Sequence, residues 1–382
     1  MKIETIVAQA GVGKDTEKGS ISFPIYNSAT YRHPALGEST GYDYSRTANP
    51  TRKVLEDTAA LLEEGYGGFA FASGMAAVTT VMMLLSQGDH LIVSDDLYGG
   101  TYRLLENVFS RYGITATYID TSNLDTVEEA IKPGKTKAIF IESPSNPLMK
   151  ITDIEGIVSI AKSKDILTIV DSTFMTPYLL KPIKLGVDIV LHSATKYLGG
   201  HNDVLGGIVV GATEKICERI GFIQNTTGKI LGANDSWLML RGIKTLALRM
   251  ERQQKNAFKI ANWLNDRTDI SKVYYPGMKD HPGHDILKSQ ANGFGAMISF
   301  KVVHKEMVER IINNVRLISF AESLGGVESL ITYPAMQTHA DIPREIRNKI
   351  GVTDELLRFS VGIEDADDLI SDLEQAIEGG KQ

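Results

Sequence analysis

A single cysteine, Cys217, in a chain of 382 residues excludes an internal disulfide and a cysteine-rich metal site. It sits in the helical pattern ATEKICERIGF, where a buried or half-buried structural thiol is expected. There is no block of lysine and arginine, and the formal net charge is -7, so the chain lacks the electrostatic footprint of a protein that binds nucleic acid or an anionic membrane surface. No apolar run approaches the length that spans a bilayer, and the opening MKIETIVAQAGVGKDTEKG is interrupted by charge before a signal-peptide core develops. Small-molecule partners and a cytoplasmic location are the resulting expectations.

Ready-made nucleotide and metal motifs are missing as well. AGVGKDT offers a glycine pair, but Thr16 holds the third glycine position and no strand precedes it. Gly134, Lys135 and Thr136 resemble the end of a P-loop whose first glycine is replaced by Glu129. His281 and His284 flank a Pro282–Gly283 turn with no carboxylate-rich helix at metal-site spacing, so no metal is expected. Asp95 and Asp96 read as a solvated strand end, and the acids from Glu364 to Asp368 as a helix start.

What the chain does contain is a rhythm. Short apolar, β-branched runs recur between residues 65 and 211: GFAFAS, HLIVSD, TATYID, KAIFIE, ILTIVDS, VDIVLHS and GGIVVG. Most alternate with helical patterns such as TRKVLEDTAALLEE, GTYRLLENVFSRYG and DIEGIVSIAKSK, which predicts a mostly parallel, doubly wound α/β sheet with helices on both faces. From Asp235, a plausible N-cap, DSWLMLRGIKTLALRMERQQKNAFKIANWLNDR reads as long helical structure with a break at Gly242, and a domain boundary is placed near residue 245. Beyond it come strands in GAMISFKVV and LLRFSVGI, a helix in MVERIINNV, and a final helix with acids in its first turn. Residues 1–50 show little periodicity, yet their tyrosines and arginines suit an arm that packs on another subunit better than a frayed tail.

Ligands of doubly wound sheets bind beyond the carboxyl ends of the strands. Two predicted strands end there in Asp171, Ser172 and Thr173, and in Ser193, Thr195 and Lys196. A lysine beside hydroxyls, sheltered from water, readily loses its proton and forms a Schiff base, and a carboxylate nearby can hold a heteroaromatic nitrogen protonated. That pair is what pyridoxal phosphate needs. Ser73, Gly74 and Met75 lie where a strand turns into a helix, so free N–H groups and the positive helix end suit its phosphate, with hydroxyls of Ser193 and Thr195 as further donors. Tyr98, before two glycines at another strand end, provides a face for the ring.

These segments, together with YSRTANPT, ESPSNPL, DSTFMTP and AESLGGVESL, resemble the Cys/Met-metabolism enzymes of the pyridoxal-phosphate, aspartate-aminotransferase fold along almost the whole chain. The resemblance implies fold type I: a seven-stranded mostly parallel sheet in a cofactor domain over 51–245, a smaller C-terminal α/β domain over 246–382, and an N-terminal arm over 1–50 that reaches a neighbouring subunit. It implies that Lys196 carries the cofactor, Asp171 pairs with the ring nitrogen and Tyr98 stacks on the ring. Gly74, Met75, Ser193 and Thr195 would hold the phosphate, and Tyr44 and Arg46 would reach the phosphate of the neighbour, implying an obligate dimer paired into a homotetramer. Arg358 would clamp the substrate α-carboxylate, helped by Asn146 and Ser323.

Within the family, Gly100 stands where methionine-cleaving lyases carry a cysteine, which disfavours that activity. Glu322 resembles the acid of γ-synthases and γ-lyases and could meet the distal ammonium of a cysteinyl group. Asp43 and the stretch ESLITYPAMQTHADIPREIR resemble bacterial γ-synthases that use acylhomoserine, in particular those also able to take sulfide, and Arg103 is a candidate for the acyl end of the substrate. A surface ion pair between Arg103 and Glu322 is the competing account of those two residues. The expectation is a transferase that joins O-acyl-homoserine and cysteine into cystathionine in methionine biosynthesis, with cleavage of cystathionine by a γ-lyase or β-lyase as the alternative.

Overall fold

The computed structural model describes residues 1–379. Each of the seven apolar runs forms a strand: β1 (Gly67–Phe71), β2 (His90–Ser94), β3 (Thr115–Ile119), β4 (Thr136–Glu142), β5 (Leu167–Asp171), β6 (Ile189–Ser193) and β7 (Gly207–Gly211). They make one sheet in the order β1-β7-β6-β5-β4-β2-β3. β7 is antiparallel to both β1 and β6, whereas β2–β3, β2–β4 and β4–β5 pair in parallel, so the sheet is mostly parallel as expected. Strands β2 and β7 are buried along their whole length, which is why they read as continuous apolar runs rather than as alternating ones.

The chain divides into two compact units, residues 1–84 with 181–247, and residues 85–180 with 248–382. In the first unit, adjacent residues of β1 identify both faces of the sheet, because successive Cβ positions point to opposite sides. A Cβ on Gly67 would lie 3.2 Å from Cys217 Sγ in the helix Glu214–Thr227, and one on Gly68 would lie 2.3 Å from Glu56 O in the helix Pro50–Glu63. Helices therefore cover both faces, and the Gly68 backbone approaches its helix too closely for any side chain. Cys217 is buried there, with Sγ 3.7 Å from Gly67 O and 3.6 Å from Gly211 O, a structural thiol as its helical pattern suggests.

The first fifty residues are tied to their own unit by specific bonds. Trp237 Nε1 donates to Phe23 O at 3.1 Å, and Asn49 Nδ2 donates to Tyr26 O at 2.8 Å while its Oδ1 caps the helix that starts at Pro50. The helix from Asp235 needs two corrections. It spans Ala233–Ile243 with Gly232 as its N-cap, and Asp235 lies inside its first turn, where an acid still complements the helix dipole. Gly242 remains helical, and the break falls after it, before the helix Leu246–Asn265 begins.

The second unit carries a smaller sheet in the order β10-β11-β12-β9-β8, formed by β8 (Ile270–Tyr274), β9 (Met297–Val302), β10 (Ser319–Phe320), β11 (Leu330–Thr332) and β12 (Leu356–Ser360). The helices Glu306–Asn314 and Ala366–Ile377 belong to the same unit, the latter capped by Asp365, whose carboxylate accepts from the Asp367 N–H. Glu364, in contrast, turns inward and accepts from both the N–H (2.6 Å) and the hydroxyl (2.9 Å) of Ser329.

Candidate active site

The structure gathers the expected residues into two sets, one in each unit. In the first unit β1 gives way to the helix Gly74–Met82, whose N-cap Ser73 accepts from the Ala76 N–H at 3.1 Å. Among the described residues no acceptor takes the Gly74 or Met75 N–H, which leaves two donors at a positive helix end. A Cβ at Gly74 would stand 2.9 Å from Ser193 Oγ, so the missing side chain is what lets the Ser193 hydroxyl approach that turn. Gly207, opposite Ser193 on β7, is more tightly constrained, since a Cβ there would lie 2.3 Å from Ser73 O. Gly207→Ala is therefore expected to lose about 1–3 kcal/mol of stability through overpacking, read as a lower denaturant midpoint at unchanged slope, and to weaken cofactor retention.

Beyond β6 the chain turns back on itself. Lys196 N donates to Ser193 O at 3.1 Å, Gly199 N to Ala194 O at 2.8 Å, and Gly200 N to Lys196 O at 2.7 Å, so Lys196 is fixed at both its backbone polar groups and its side chain is half-buried. The Thr195 hydroxyl is engaged with Gly206, accepting its N–H at 3.0 Å and donating to its carbonyl at 3.2 Å. Beneath this turn the buried His192 Nε2 meets Glu63 Oε1 at 2.6 Å. Tyr44, Asp43 and Arg46 are exposed. Arg46 donates to Asn225 O at 2.7 Å and Oδ1 at 3.0 Å and lies 5.5 Å over the Tyr44 ring, while Asp43 accepts from Ser39 Oγ at 2.8 Å.

In the second unit Tyr98 stands at the start of the helix Gly99–Asn107, 41% exposed, with its N–H donating to Glu142 Oε2 at 2.9 Å. Asp171 closes β5, and its Oδ1 accepts from Thr173 N at 3.0 Å and Thr173 Oγ1 at 2.5 Å. Arg358, on β12 and 1% exposed, uses its fork on three partners: NH1 donates to Asn146 Oδ1 at 2.9 Å, and NH2 to Ser323 O at 2.9 Å and Thr332 Oγ1 at 3.1 Å. Thus Arg358, Asn146 and Ser323 do converge. Ser323 has φ +83, a strained value for a non-glycine residue, and it presents its carbonyl to that arginine. Glu322, the preceding residue, is exposed. The expected alternative pairing of Arg103 with Glu322 is not found, because Arg103 NH1 bonds Asp341 instead.

Three buried groups were not legible as site residues. Asp96, expected at a solvated strand end, is instead fully buried, accepting from Ser145 Oγ at 2.5 Å and Leu148 N at 3.0 Å. Burial pushes its carboxyl up to about 7 against those hydrogen bonds. Only Asp95 keeps some exposure, and it pairs with Lys150 at 2.9 Å. His339 is buried and held neutral, pushed down to about 4 by burial and then by Arg358, so Nε2–H donates to Asn146 O at 3.0 Å while Nδ1 accepts from Thr338 Oγ1. Asp96 and His339 thereby brace the loop that presents Asn146. Glu142 is the third. The signal that could have found it is the shared position of the acids that close KAIFIE and LTIVD. His281 is buried with its imidazole pushed down to about 4, and His284 stacks on Phe294 at 4.8 Å.

The first unit presents a helix start with hydroxyls, which fits a phosphate, and a lysine, which fits a Schiff base; the second presents a carboxylate and an aromatic face, which fit a protonatable ring. A family model for Cys/Met metabolism PLP-dependent enzymes matches residues 4–378. The chain belongs to that family, and pyridoxal phosphate is its cofactor. It is 54% identical over 378 residues to a cystathionine gamma-lyase of Bacillus subtilis (strain 168), covering 99% of this chain and 100% of that protein. It is 52% identical over 375 residues to a cystathionine gamma-synthase/O-acetylhomoserine (thiol)-lyase of the same organism, covering 98% and 96%. Further relatives carry the name cystathionine beta-lyase. Among solved structures, cystathionine gamma-lyase from Lactobacillus plantarum complexed with L-serine superposes with a TM-score of 0.97 at 50% identity, covering 99% of both chains. The chain is thus a trans-sulfuration enzyme of fold type I. Among the described residues no helix is long and apolar enough to cross a membrane.

Proposed function

We propose that this enzyme works at the γ carbon of a four-carbon amino acid, replacing the acyl group of O-acyl-homoserine with the sulfur of cysteine to give cystathionine, and accepting sulfide as a second nucleophile. The observation that carries the γ-carbon part of this reading is the placement of Glu322, and the preference for synthesis over cleavage rests on the likeness of Asp43 and the ESLITYPAMQTHADIPREIR stretch to bacterial γ-synthases. Glu322 directly follows the anchor logic of Arg358: the arginine holds the Ser323 carbonyl, and the exposed carboxylate of the neighbouring residue is available to the distal ammonium of a cysteinyl group.

In this reading Lys196, Asp171 and Tyr98 hold pyridoxal phosphate, which supplies an electron sink for negative charge at Cα. Lys196 Nζ carries the cofactor at rest and takes the α-proton during turnover. Asp171 accepts the N–H of the protonated ring nitrogen, and Tyr98 covers one ring face. Gly74, Met75, Ser73, Ser193 and Thr195 receive the phosphate; the Thr195 hydroxyl would exchange its bond to the Gly206 carbonyl for one to a phosphate oxygen. Arg358, with Asn146 and Ser323, grips the substrate α-carboxylate. Arg103 and Asp43 are the residues assigned to the acyl end of the substrate. Tyr44 and Arg46 serve the phosphate of a neighbouring subunit in a dimer that pairs into a tetramer.

A second reading, cleavage of cystathionine by elimination, uses the same cofactor residues, and the likeness to a cystathionine gamma-lyase at 54% identity favours it. Product analysis separates the two. The holoenzyme given O-acetyl- or O-succinyl-homoserine with cysteine is expected to form cystathionine. Release of 2-oxobutanoate or pyruvate with ammonia from cystathionine, without any cystathionine synthesis, would sink the transferase reading.

A further inference from the structure

The runs KAIFIE and LTIVD close on two acids that stand side by side. Strands β4 and β5 are parallel, and their register sets Glu142 opposite Asp171, so the two side chains leave the same face at neighbouring strand ends. A strand-end acid is ordinarily solvated, but Glu142 is only 6% exposed. Its Oε2 accepts the Tyr98 N–H at 2.9 Å, and its own N–H donates to Ser94 Oγ at 3.3 Å. Tyr98 is the N-cap of its helix and makes no side-chain cap bond of its own, so the carboxyl of Glu142 stands at a helix start that would otherwise lack it.

We propose that Glu142 is a positioning residue of the cofactor site, fastening the Tyr98 main chain to the strand ends that carry Asp171 and so setting the ring face and the ring-nitrogen carboxylate relative to one another. The proposal rests on the assignment of Tyr98 and Asp171 to the cofactor ring. Charge supports it independently of the hydrogen bond. Two carboxyls at paired strand ends, Glu142 buried and Asp171 half-buried, resist ionising together. Burial first and Asp171 second push the Glu142 carboxyl well above the usual carboxylate range, Asp96 adds to the rise, and Arg358 opposes it. That rise favours the protonated form of Glu142, so in the proposed arrangement Glu142 is the neutral member of the pair beside Asp171. A plain helix cap would be served by a serine or asparagine; a carboxyl here also decides which of two acids is charged.

The test compares holoenzyme variants Glu142→Ala, Glu142→Gln and Asp171→Asn by pyridoxal-phosphate dissociation constant and by the visible absorption and circular dichroism of the bound cofactor. Loss of one buried hydrogen bond predicts about tenfold weaker cofactor binding for Glu142→Ala, with the visible circular dichroism falling because Tyr98 is no longer held. Glu142→Gln, which keeps an acceptor oxygen and is neutral like the proposed acid, is expected to retain both signals within about twofold and to keep the pH midpoint of the cofactor band within about half a unit. If Glu142→Ala binds and displays the cofactor like the parent while Asp171→Asn alters the band, the positioning role is wrong. A midpoint displaced by more than about one unit in Glu142→Gln overturns the neutral-acid argument even if the alanine variant fails to fold. If Asp171→Asn also leaves the cofactor unchanged, the ring assignment itself has failed and takes the proposal with it.

Discussion

Lys196→Ala is expected to lower turnover by at least about 10⁴-fold while leaving the protein folded and able to bind pyridoxal phosphate noncovalently. The size of the loss follows from the two tasks given to one atom, since Nζ both carries the cofactor and moves the α-proton. The persistence of binding follows from the first unit's architecture. The helix start at Gly74 and the turn through Gly199 and Gly200 are held by main-chain geometry, with Gly199 N donating to Ala194 O and Gly200 N to Lys196 O. Borohydride reduction followed by peptide mass analysis provides the check: the parent enzyme should carry the reduced cofactor on the Lys196 peptide, and the variant should carry none. A variant that turned over at more than about one hundredth of the parent rate would remove Lys196 from the chemistry.

The contrast between this residue and others shows what a single sequence carries. Lys196 was legible because a nucleophile, its hydroxyl neighbours and the preceding strand occupy consecutive positions, and all seven strands of the large sheet were legible as short apolar, β-branched runs, continuous where the strand is fully buried as in β2 and β7. β8, β10 and β11 were not. The first is ISKVY, half-exposed with a lysine at its centre, and the other two are only two and three residues long, too short for any periodicity to register. Asp96 and Glu142 were missed for a different reason. An acid at a strand end usually meets water, and only the pairing of β4 with β5 and the return of the Ser145–Leu148 segment onto Asp96 convert these positions into buried ones. His339 lies in ITYPAMQTHADIP, which has no regular pattern, and its role as a brace for Asn146 comes from a contact with a residue 193 positions away. Local chemistry was therefore readable, whereas groups that act by holding others became visible only with tertiary register.

Arg358→Lys is expected to reduce kcat/KM by about 100-fold, chiefly through KM, with the cofactor spectrum unchanged. The charge is conserved in this variant, so the prediction isolates geometry. Arg358 spends NH1 on Asn146 and NH2 on Ser323 and Thr332, a three-point anchorage that fixes the plane of the guanidinium; a two-bond grip on an α-carboxylate then takes over one of the NH2 bonds. A lysine presents one ammonium on a flexible stem and cannot make both sets of bonds at once. Loss of one charge-assisted hydrogen bond together with the misplacement of the remaining one corresponds to about 2.7 kcal/mol, which is about two orders of magnitude in affinity. Arg358→Ala should cost more, because it also removes the donor to Asn146 Oδ1 in a buried site, and part of that cost should emerge as lower stability rather than weaker binding. Steady-state kinetics of both variants beside their melting temperatures separates these contributions. A lysine variant with an unchanged KM would show that the α-carboxylate is held elsewhere, whereas a raised KM at constant kcat would place Arg358 in substrate binding rather than in proton transfer.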